Sequence, residues 1–185
     1  MAMMIRFQRL KRKNLSIMLL LVLAFQAFFV VSMIPAVYGW VSWKYNTDGT
    51  TISVAVSADG NYTVAGTETG SVFLLDGAGG LLWTHHFTVA VECVAISGDG
   101  SRIVVGVHEY RGGSPDTYLF DTLGNVMWQK DLVEGSWPCD VAISPDAGYI
   151  VTGDTAHVFY FYEISGTQIW TYTAGSWVTA VSVSS

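Results

Sequence analysis

The chain has 185 residues, 51% of them hydrophobic and 13% charged, a composition that supports a packed core and excludes an intrinsically disordered protein. Five of the nine basic residues lie in the first 13 positions, so the part after Gly39 has four basic and fifteen acidic residues and a net charge of −11. Such an acidic region repels a phosphate backbone, which argues against nucleic-acid binding.

The N-terminal 37 residues predict a segment that targets the chain to a membrane. Residues 1–14 are basic and contain no acid, and residues 15–37 are apolar with four interruptions. A helix over these 23 residues would be about 34 Å long at ~1.5 Å per residue, enough to cross a bilayer core. We favour an uncleaved transmembrane anchor; the alternative is a secretory signal cleaved before Trp40. In both cases the basic flank stays in the cytoplasm and the rest of the chain lies outside.

One repeated phrase organises the rest of the chain. Residues 54–66, 94–106 and 141–153 each contain an alternating apolar run, a tight turn and a second apolar run that ends at glycine. This pattern predicts a β-hairpin. A fourth copy begins at Val181. The aspartates predicted to shape the turns, rather than to bind calcium, are Asp59, Asp99 and Asp146.

Each complete copy of the phrase is followed by a strand that ends in an acid, by a glycine-containing turn and by a tryptophan. Trp43, Trp83, Trp128 and Trp170 follow one another at intervals of 40, 45 and 42 residues. A period near forty residues with four strand-like runs is typical of a β-propeller, in which four-stranded antiparallel blades stack on one another. We therefore predict that the last three of these tryptophans pack between blades.

The predicted fold class is all-β: a partial β-propeller of four-stranded antiparallel blades over residues 40–185, preceded by one N-terminal helix. The pattern predicts complete blades at 51–87, 92–130 and 139–172, and extra strands at 40–46 and 177–185. No helical period of apolar residues occurs after residue 40. Because propellers typically have about four to eight blades, we expect this sequence to be the front part of a longer protein.

Two sets of motifs resemble known repeat families. The S-x-D-G turns at 57–60 and 97–100, together with the acid that ends the third strand, resemble WD repeats, although the Gly-His pair that precedes the first strand of a WD repeat is absent. The runs from an acid to a tryptophan resemble the repeats of pyrroloquinoline-quinone-type propellers: 76–83, 121–128 and 163–170. The combination resembles membrane-anchored WD-like and quinoprotein-like propellers of archaea, which implies the same fold for residues 40–185.

The quinoprotein resemblance would imply a calcium site and commonly two adjacent cysteines in an enzyme. Cys93 and Cys139 are not adjacent, and we predict no catalytic residue, no metal ligand and no cofactor. Aligned on the repeated phrase, the two cysteines are one residue out of register, which points them to opposite sheet faces and favours free thiols over a disulfide. The neighbours His85 and His86 also face opposite sides, which disfavours a shared metal.

The second unit carries a candidate recognition site. The distance from the glycine ending the second strand to the acid ending the third is ten positions in units one and three, but fifteen in unit two. The inserted loop shares an edge of the propeller with the loops before the first strands, and aromatic and arginine side chains dominate binding hot spots. The predicted rim residues are His108, Glu109, Tyr110, Arg111, Trp137 and Trp177, with Asp116 close by. The alternative is a longer solvated loop and two further tryptophans that pack between blades.

The leading hypothesis is a non-enzymatic extracytoplasmic propeller, tethered to the membrane by its N-terminal helix, that binds a protein or a cell-surface polymer. Two alternatives are a quinone-dependent dehydrogenase and an assembly factor for envelope proteins. The predicted location is the cell membrane, single-pass with the C-terminal propeller outside, or the exterior if the signal is cleaved.

Overall fold

The computed structural model describes residues 42–108 and 116–184, and the structural statements below refer to these residues. The helix predicted at residues 15–37 and its basic flank lie outside them. The described chain consists of three four-stranded antiparallel sheets, which confirms the prediction of an all-β, propeller-like repeat. Within these two ranges, no helix has the length and apolar composition needed to cross a membrane.

Every sheet is a meander in which each strand pairs with the next strand of the chain. Sheet 1 is formed by β1 (Thr51–Val56), β2 (Tyr62–Thr67), β3 (Ser71–Asp76) and β4 (Leu81–His86). Sheet 2 is formed by β5 (Val91–Ile96), β6 (Arg102–Val107), β7 (Thr117–Asp121) and β8 (Val126–Lys130). Sheet 3 is formed by β9 (Pro138–Ile143), β10 (Tyr149–Asp154), β11 (Val158–Glu163) and β12 (Gln168–Thr173). Residues 42–50 and 174–184 flank the sheets and are not strands in this structure.

The first turn of each sheet follows from its S-x-D sequence. Ser97 Oγ donates a 2.7 Å hydrogen bond to Asp99 Oδ1, and the Ser101 N–H donates to the same oxygen at 2.9 Å. Gly100 then adopts a φ of 72°, a left-handed conformation that glycine takes without strain. The same serine and aspartate pair recurs in the other sheets, at Ser57 and Asp59 and at Ser144 and Asp146. The predicted role of these aspartates in the turns is therefore confirmed.

Apolar cores form where the sheets stack face to face. β5 packs on β1 and β2, and β9 packs on β5 and β6. The close approach requires glycine near the end of the second strand, because a Cβ at Gly66 would lie 2.4 Å from Val91 Cγ1 of the next sheet. Ile103 and Phe120 of sheet 2 are fully buried in one core, and Val104 of the same sheet is fully buried in the other. Both faces of sheet 2 are thus shielded from water by its neighbours.

Tryptophans of the fourth strands join neighbouring sheets. Trp83 Nε1 of sheet 1 donates to the Thr122 carbonyl of sheet 2 at 3.0 Å. Trp128 Nε1 of sheet 2 donates to the Ile164 carbonyl of sheet 3 at 2.9 Å. Each acceptor directly follows the acid that ends the third strand. The predicted packing between sheets is confirmed for these two, whereas Trp170 is 44% exposed because no further sheet covers sheet 3 within the described residues.

A row of backbone hydrogen bonds runs along one edge of the stack. The Ala58 N–H donates to the Gly98 carbonyl, and the Gly98 N–H donates to the Pro145 carbonyl, each at 2.9 Å. These residues hold the same place in the first turns of successive sheets. We call this edge, which carries the β1–β2, β3–β4 and equivalent turns, the turn edge, and the opposite edge the loop edge.

Candidate functional site

The loop edge carries the candidate site. Its described parts are the β2–β3 and β10–β11 loops, the two ends of the β6–β7 connection at His108 and Asp116, and the connections between sheets at residues 87–90 and 131–137. Of the predicted rim residues, the structure describes His108, Trp137 and Trp177. The other three lie outside the described residues: Glu109, Tyr110 and Arg111.

The structure brings His108 and Trp137 together. Their rings stack with centroids 4.2 Å apart and an angle of 14° between the planes. His108 Nδ1 lies 2.7 Å from Glu92 Oε1, so that the carboxylate accepts a hydrogen bond and orients the imidazole. Glu92 is an addition to the predicted set. We call these three residues the stacked cluster, because they combine an aromatic surface, a titratable ring and a carboxylate at one place.

Trp137 is held in position through its backbone. Its N–H donates to Thr155 Oγ1, and its carbonyl accepts from the Thr155 N–H, each at 3.2 Å. The same carbonyl contact occurs in sheet 2, where the His108 N–H donates to the Ala90 carbonyl at 2.9 Å. The backbone of Trp137 is therefore fixed, and its indole is ordered by the stacking on His108, so little free energy would be lost in ordering it on binding.

Two buried carboxylates hold the loop between β8 and β9. Asp116 Oδ2 accepts from the Leu132 N–H at 2.9 Å. Asp154, which is fully buried, accepts from Ser136 Oγ at 3.2 Å and from the Tyr160 hydroxyl at 3.3 Å. Burial and then the charge of Asp154 raise the pKa of Tyr160 to about 12, so this hydroxyl remains a donor at neutral pH. Asp116, which the sequence placed near the rim, thus positions the loop.

Trp177 lies in a different setting. It belongs to the segment 174–184, is 64% exposed and lines a cavity of about 520 Å³ over sheet 3. The other aromatic side chains in the wall of this cavity are Phe159, Phe161 and Trp170. The structure therefore assigns Trp177 to this cavity and Trp137 to the stacked cluster.

In sheet 1 the loop edge is organised by Asp48. Its carboxylate accepts hydrogen bonds from the hydroxyls of Thr67, Thr69 and Ser71, and the bond from Ser71 is the main cause that lowers the pKa of Asp48. Ser71 Oγ also lies 3.0 Å from His86 Nδ1. The serine lies between the aspartate and the histidine and is buried, whereas in a hydrolytic triad the histidine lies in the middle. This group therefore links the segment before β1 to the β2–β3 loop by hydrogen bonds. We call Asp48, Thr67, Thr69, Ser71 and His86 the clasp.

The adjacent histidines of β4 face opposite sides of the sheet, as predicted. The His85 ring lies 4.6 Å from the Phe87 ring and 5.1 Å from the Phe120 ring, and burial lowers the pKa of His85, whereas His86 contributes to the clasp. Both cysteines are free thiols, as favoured from the sequence. Burial raises the pKa of the Cys93 thiol, which keeps it protonated and unreactive. In the part of the chain that the structure describes, no three His, Cys, Asp or Glu side chains converge as metal ligands.

The sequence matches no protein-family model and no curated protein. The resemblance to WD-like and quinoprotein-like repeats therefore rests on the motifs themselves. Because function resides in sites rather than in folds, it has to be argued from the stacked cluster and its surroundings.

Proposed function

We propose that the chain is a non-enzymatic β-propeller scaffold on the outer side of a membrane and that it binds a protein or a cell-envelope polymer at the loop edge. The observation that carries this proposal is the stacked cluster of Glu92, His108 and Trp137. It lies on the edge whose connections differ from sheet to sheet, and binding residues are concentrated on variable loops that a rigid scaffold positions.

The chemistry of the stacked cluster suits recognition. An indole gives a large flat apolar surface with one polar N–H, and it loses little side-chain entropy on binding. The Glu92 carboxylate beside the imidazole can accept hydrogen bonds or pair with a cationic group of a partner. Because the bonds to Thr155 fix the backbone of Trp137 and its indole already stacks on His108, binding requires little reorganisation.

The finer fold assignment and the location are part of the same proposal. A WD-like or quinoprotein-like propeller is supported by the recurring bond from a fourth-strand tryptophan to the carbonyl that follows the acid of the next sheet. An external location is supported by the basic residues 1–14 followed by the apolar residues 15–37. Protease added to intact cells should cleave the chain without permeabilisation; protection until the membrane is opened would contradict this location.

A binding comparison between two tryptophan variants tests the proposed function. The full chain in detergent solution is mixed with an isolated cell-envelope fraction, and the bound share is measured by cosedimentation. We expect Trp137→Ala to weaken binding about 30-fold, which corresponds to a hot-spot loss of about 2 kcal/mol. Trp177→Ala, which removes an exposed indole outside the stacked cluster, should leave binding unchanged. Protease treatment of the fraction beforehand separates a protein partner from a polymer.

Thermal unfolding of the same variants separates binding from packing. If Trp137→Ala keeps the melting temperature and loses binding, the indole serves recognition. A large fall in melting temperature, or undiminished binding by a folded Trp137→Ala variant, would contradict the proposal.

A further inference from the structure

Exposed apolar side chains form a row on the turn edge of the stack. Sheet 2 shows it most clearly, because its neighbours shield both of its faces and yet Leu123 is 79%, Met127 47% and Val126 42% exposed. These exposures do not depend on what lies beyond sheets 1 and 3. Sheets 1 and 3 contribute further members of the row, and we call the following side chains the apolar patch: Leu81, Leu82, Leu123, Val126, Met127 and Ile169.

The stacking tryptophans bring these side chains together. The β7–β8 turn lies on the ring of Trp83, because a Cβ added at Gly124 would be 3.2 Å from that ring. Leu123 of this turn therefore lies beside the start of β4 with its two leucines. The β11–β12 turn lies on Trp128 in the same way, so that the patch continues from sheet to sheet.

The fourth strands of sheets 1 and 2 are apolar at the end that lies on the turn edge and polar at the other end. β8 begins with Val126 and Met127 and ends with Gln129 and Lys130. β4 begins with two leucines and ends with two histidines. Exposed apolar side chains that are grouped in this way mark a surface for a protein or a membrane.

The described chain begins at this patch. Trp43 Nε1 donates to the Gly77 carbonyl of the β3–β4 turn at 3.1 Å, and a Cβ added at Gly79 of that turn would be 2.6 Å from the Trp43 ring. Trp43 thus contacts the β3–β4 turn as Trp83 contacts the β7–β8 turn. The first described residues therefore lie on the turn edge, at one end of the apolar patch.

Few residues separate Trp43 from the predicted membrane segment. Residues 38–42 follow Val37, have the sequence Tyr-Gly-Trp-Val-Ser and carry no charge. Tyrosine and tryptophan are enriched where a membrane meets water. At ~3.6 Å per residue, a chain that leaves the bilayer at Val37 reaches Trp43 within about 22 Å. The loop edge lies a further strand length away, about 20 Å for six residues.

We propose that the apolar patch lies against the lipid surface of the membrane and that the loop edge is directed away from it. This inference rests on the proposed anchoring of the chain by residues 15–37. Lipid is the occupant because the short connection keeps the turn edge near the bilayer, where apolar side chains gain free energy by entering the headgroup layer. The stacked cluster is then presented to partners outside the membrane.

The carboxylates of the turn edge determine which lipids suit this contact. Asp76, Asp121 and Glu163 end the third strands beside the patch. The hydrogen bond from the Asn125 side chain is the main cause that lowers the pKa of Asp121, so this carboxylate is charged at neutral pH. Because negative charge on this edge repels anionic headgroups, we expect the closest contact on a surface of zwitterionic lipids.

Dye-labelled cysteines in lipid nanodiscs test the proposal on the full chain. In a Cys139→Ser background, in which the remaining Cys93 is buried, either Leu123→Cys or Val133→Cys is coupled to an environment-sensitive dye. Val133 is the matched control, an exposed apolar residue of the loop edge. In phosphatidylcholine nanodiscs we expect iodide to quench the dye several-fold less at position 123 than at position 133, and nitroxide-labelled lipids to quench it only at 123. Adding phosphatidylglycerol should reduce this difference.

Three results would contradict the proposal. The first is equal quenching by iodide at both positions. The second is shielding at position 123 without quenching by nitroxide-labelled lipids, which indicates a protein on the patch. The third is release of the chain from membranes by alkaline carbonate, which excludes the anchor.

These results leave binding at the loop edge unaffected, so the two proposals can fail separately. Undiminished envelope binding by a folded Trp137→Ala variant contradicts the proposed function and says nothing against lipid contact. Met127→Cys repeats the quenching measurement at a second position of the patch, and circular dichroism of each variant separates a change in contact from misfolding. Agreement between positions 123 and 127 is expected; shielding at 123 alone would contradict contact through the whole patch.

Discussion

The turn edge and the loop edge belong to the same strands but follow different rules. On the turn edge every sheet repeats the serine and aspartate turn, and backbone bonds link Ala58, Gly98 and Pro145 in a row. On the loop edge the side-chain contacts differ between sheets. Sheet 1 has the clasp around Asp48, sheet 2 has the stacked cluster, and sheet 3 has the hydrogen bonds around the buried Asp154. The repeated edge joins the sheets, and the irregular edge is therefore the one that can specialise for recognition.

Removing a tryptophan anchored on the turn edge should have the largest effect on stability. Trp128→Ala removes the bond to the Ile164 carbonyl and the ring contact with Tyr162, 5.9 Å between centroids, at the interface of sheets 2 and 3. We expect the free energy of unfolding to fall by about 3 kcal/mol, the lower end of the range for large aromatic truncations in a core, because Trp128 is only partly buried. Chemical denaturation measures it, with Trp177→Ala, an exposed indole, as the control. If both variants lose the same free energy of unfolding, the tryptophan contacts on the turn edge do not stabilise the stacking of the sheets.

Removing Asp154, the buried acid of the loop edge, should lower the free energy of unfolding less than Trp128→Ala does, and it should also weaken binding. Asp154→Ala removes the acceptor of the Val158 N–H and of the Tyr160 hydroxyl, whereas Ser136 Oγ keeps its 2.6 Å bond to the Val133 carbonyl. We expect a loss of about 2–3 kcal/mol in the free energy of unfolding, because buried donors would be left unsatisfied. The loop that carries Trp137 would also loosen, so binding at the loop edge should weaken. Asp154→Asn keeps one carbonyl acceptor and should lose less of both; full binding by the alanine variant would show that the loop needs no such anchor.

The turn edge could be predicted from the sequence because its chemistry is local. Ser97, Asp99 and Gly100 make their bonds within five positions, so the pattern alone indicates the conformation. The period near forty residues likewise predicted the stacking of Trp83 and Trp128, because each repeat meets a copy of itself. Trp170 carries the same pattern but has no covering sheet in the described residues, and no local signal distinguishes it.

The stacked cluster could be predicted only in part. The insertion in the second unit and the aromatic Trp137 indicated one edge, and the structure confirms that His108 and Trp137 meet there. Glu92 was missed because the register of β5 and β6 shifts between Val91 and Cys93. Such a bulge changes the direction in which a side chain points, and the sequence pattern does not predict it. The anchoring role of Asp154 depends on contacts with the connection between sheets 2 and 3, which a repeat pattern does not encode.

The smallest expected effect concerns the one turn that departs from the repeat. Ala147 has a φ of 58° where Gly60 and Gly100 have 72°, so a side chain adopts the left-handed conformation that glycine prefers. Ala147→Gly should raise the free energy of unfolding by about 0.5 kcal/mol, a modest gain because the lost methyl group packs against the core between sheets 2 and 3. Gly60→Ala should lower it by about 1 kcal/mol through backbone strain alone, because nothing lies within 4 Å of the added Cβ. If Ala147→Gly raises the free energy of unfolding and Gly60→Ala lowers it, the three turns share one backbone conformation that favours glycine. If both variants are less stable, Ala147 is not strained, and the packing of its methyl group stabilises the third turn.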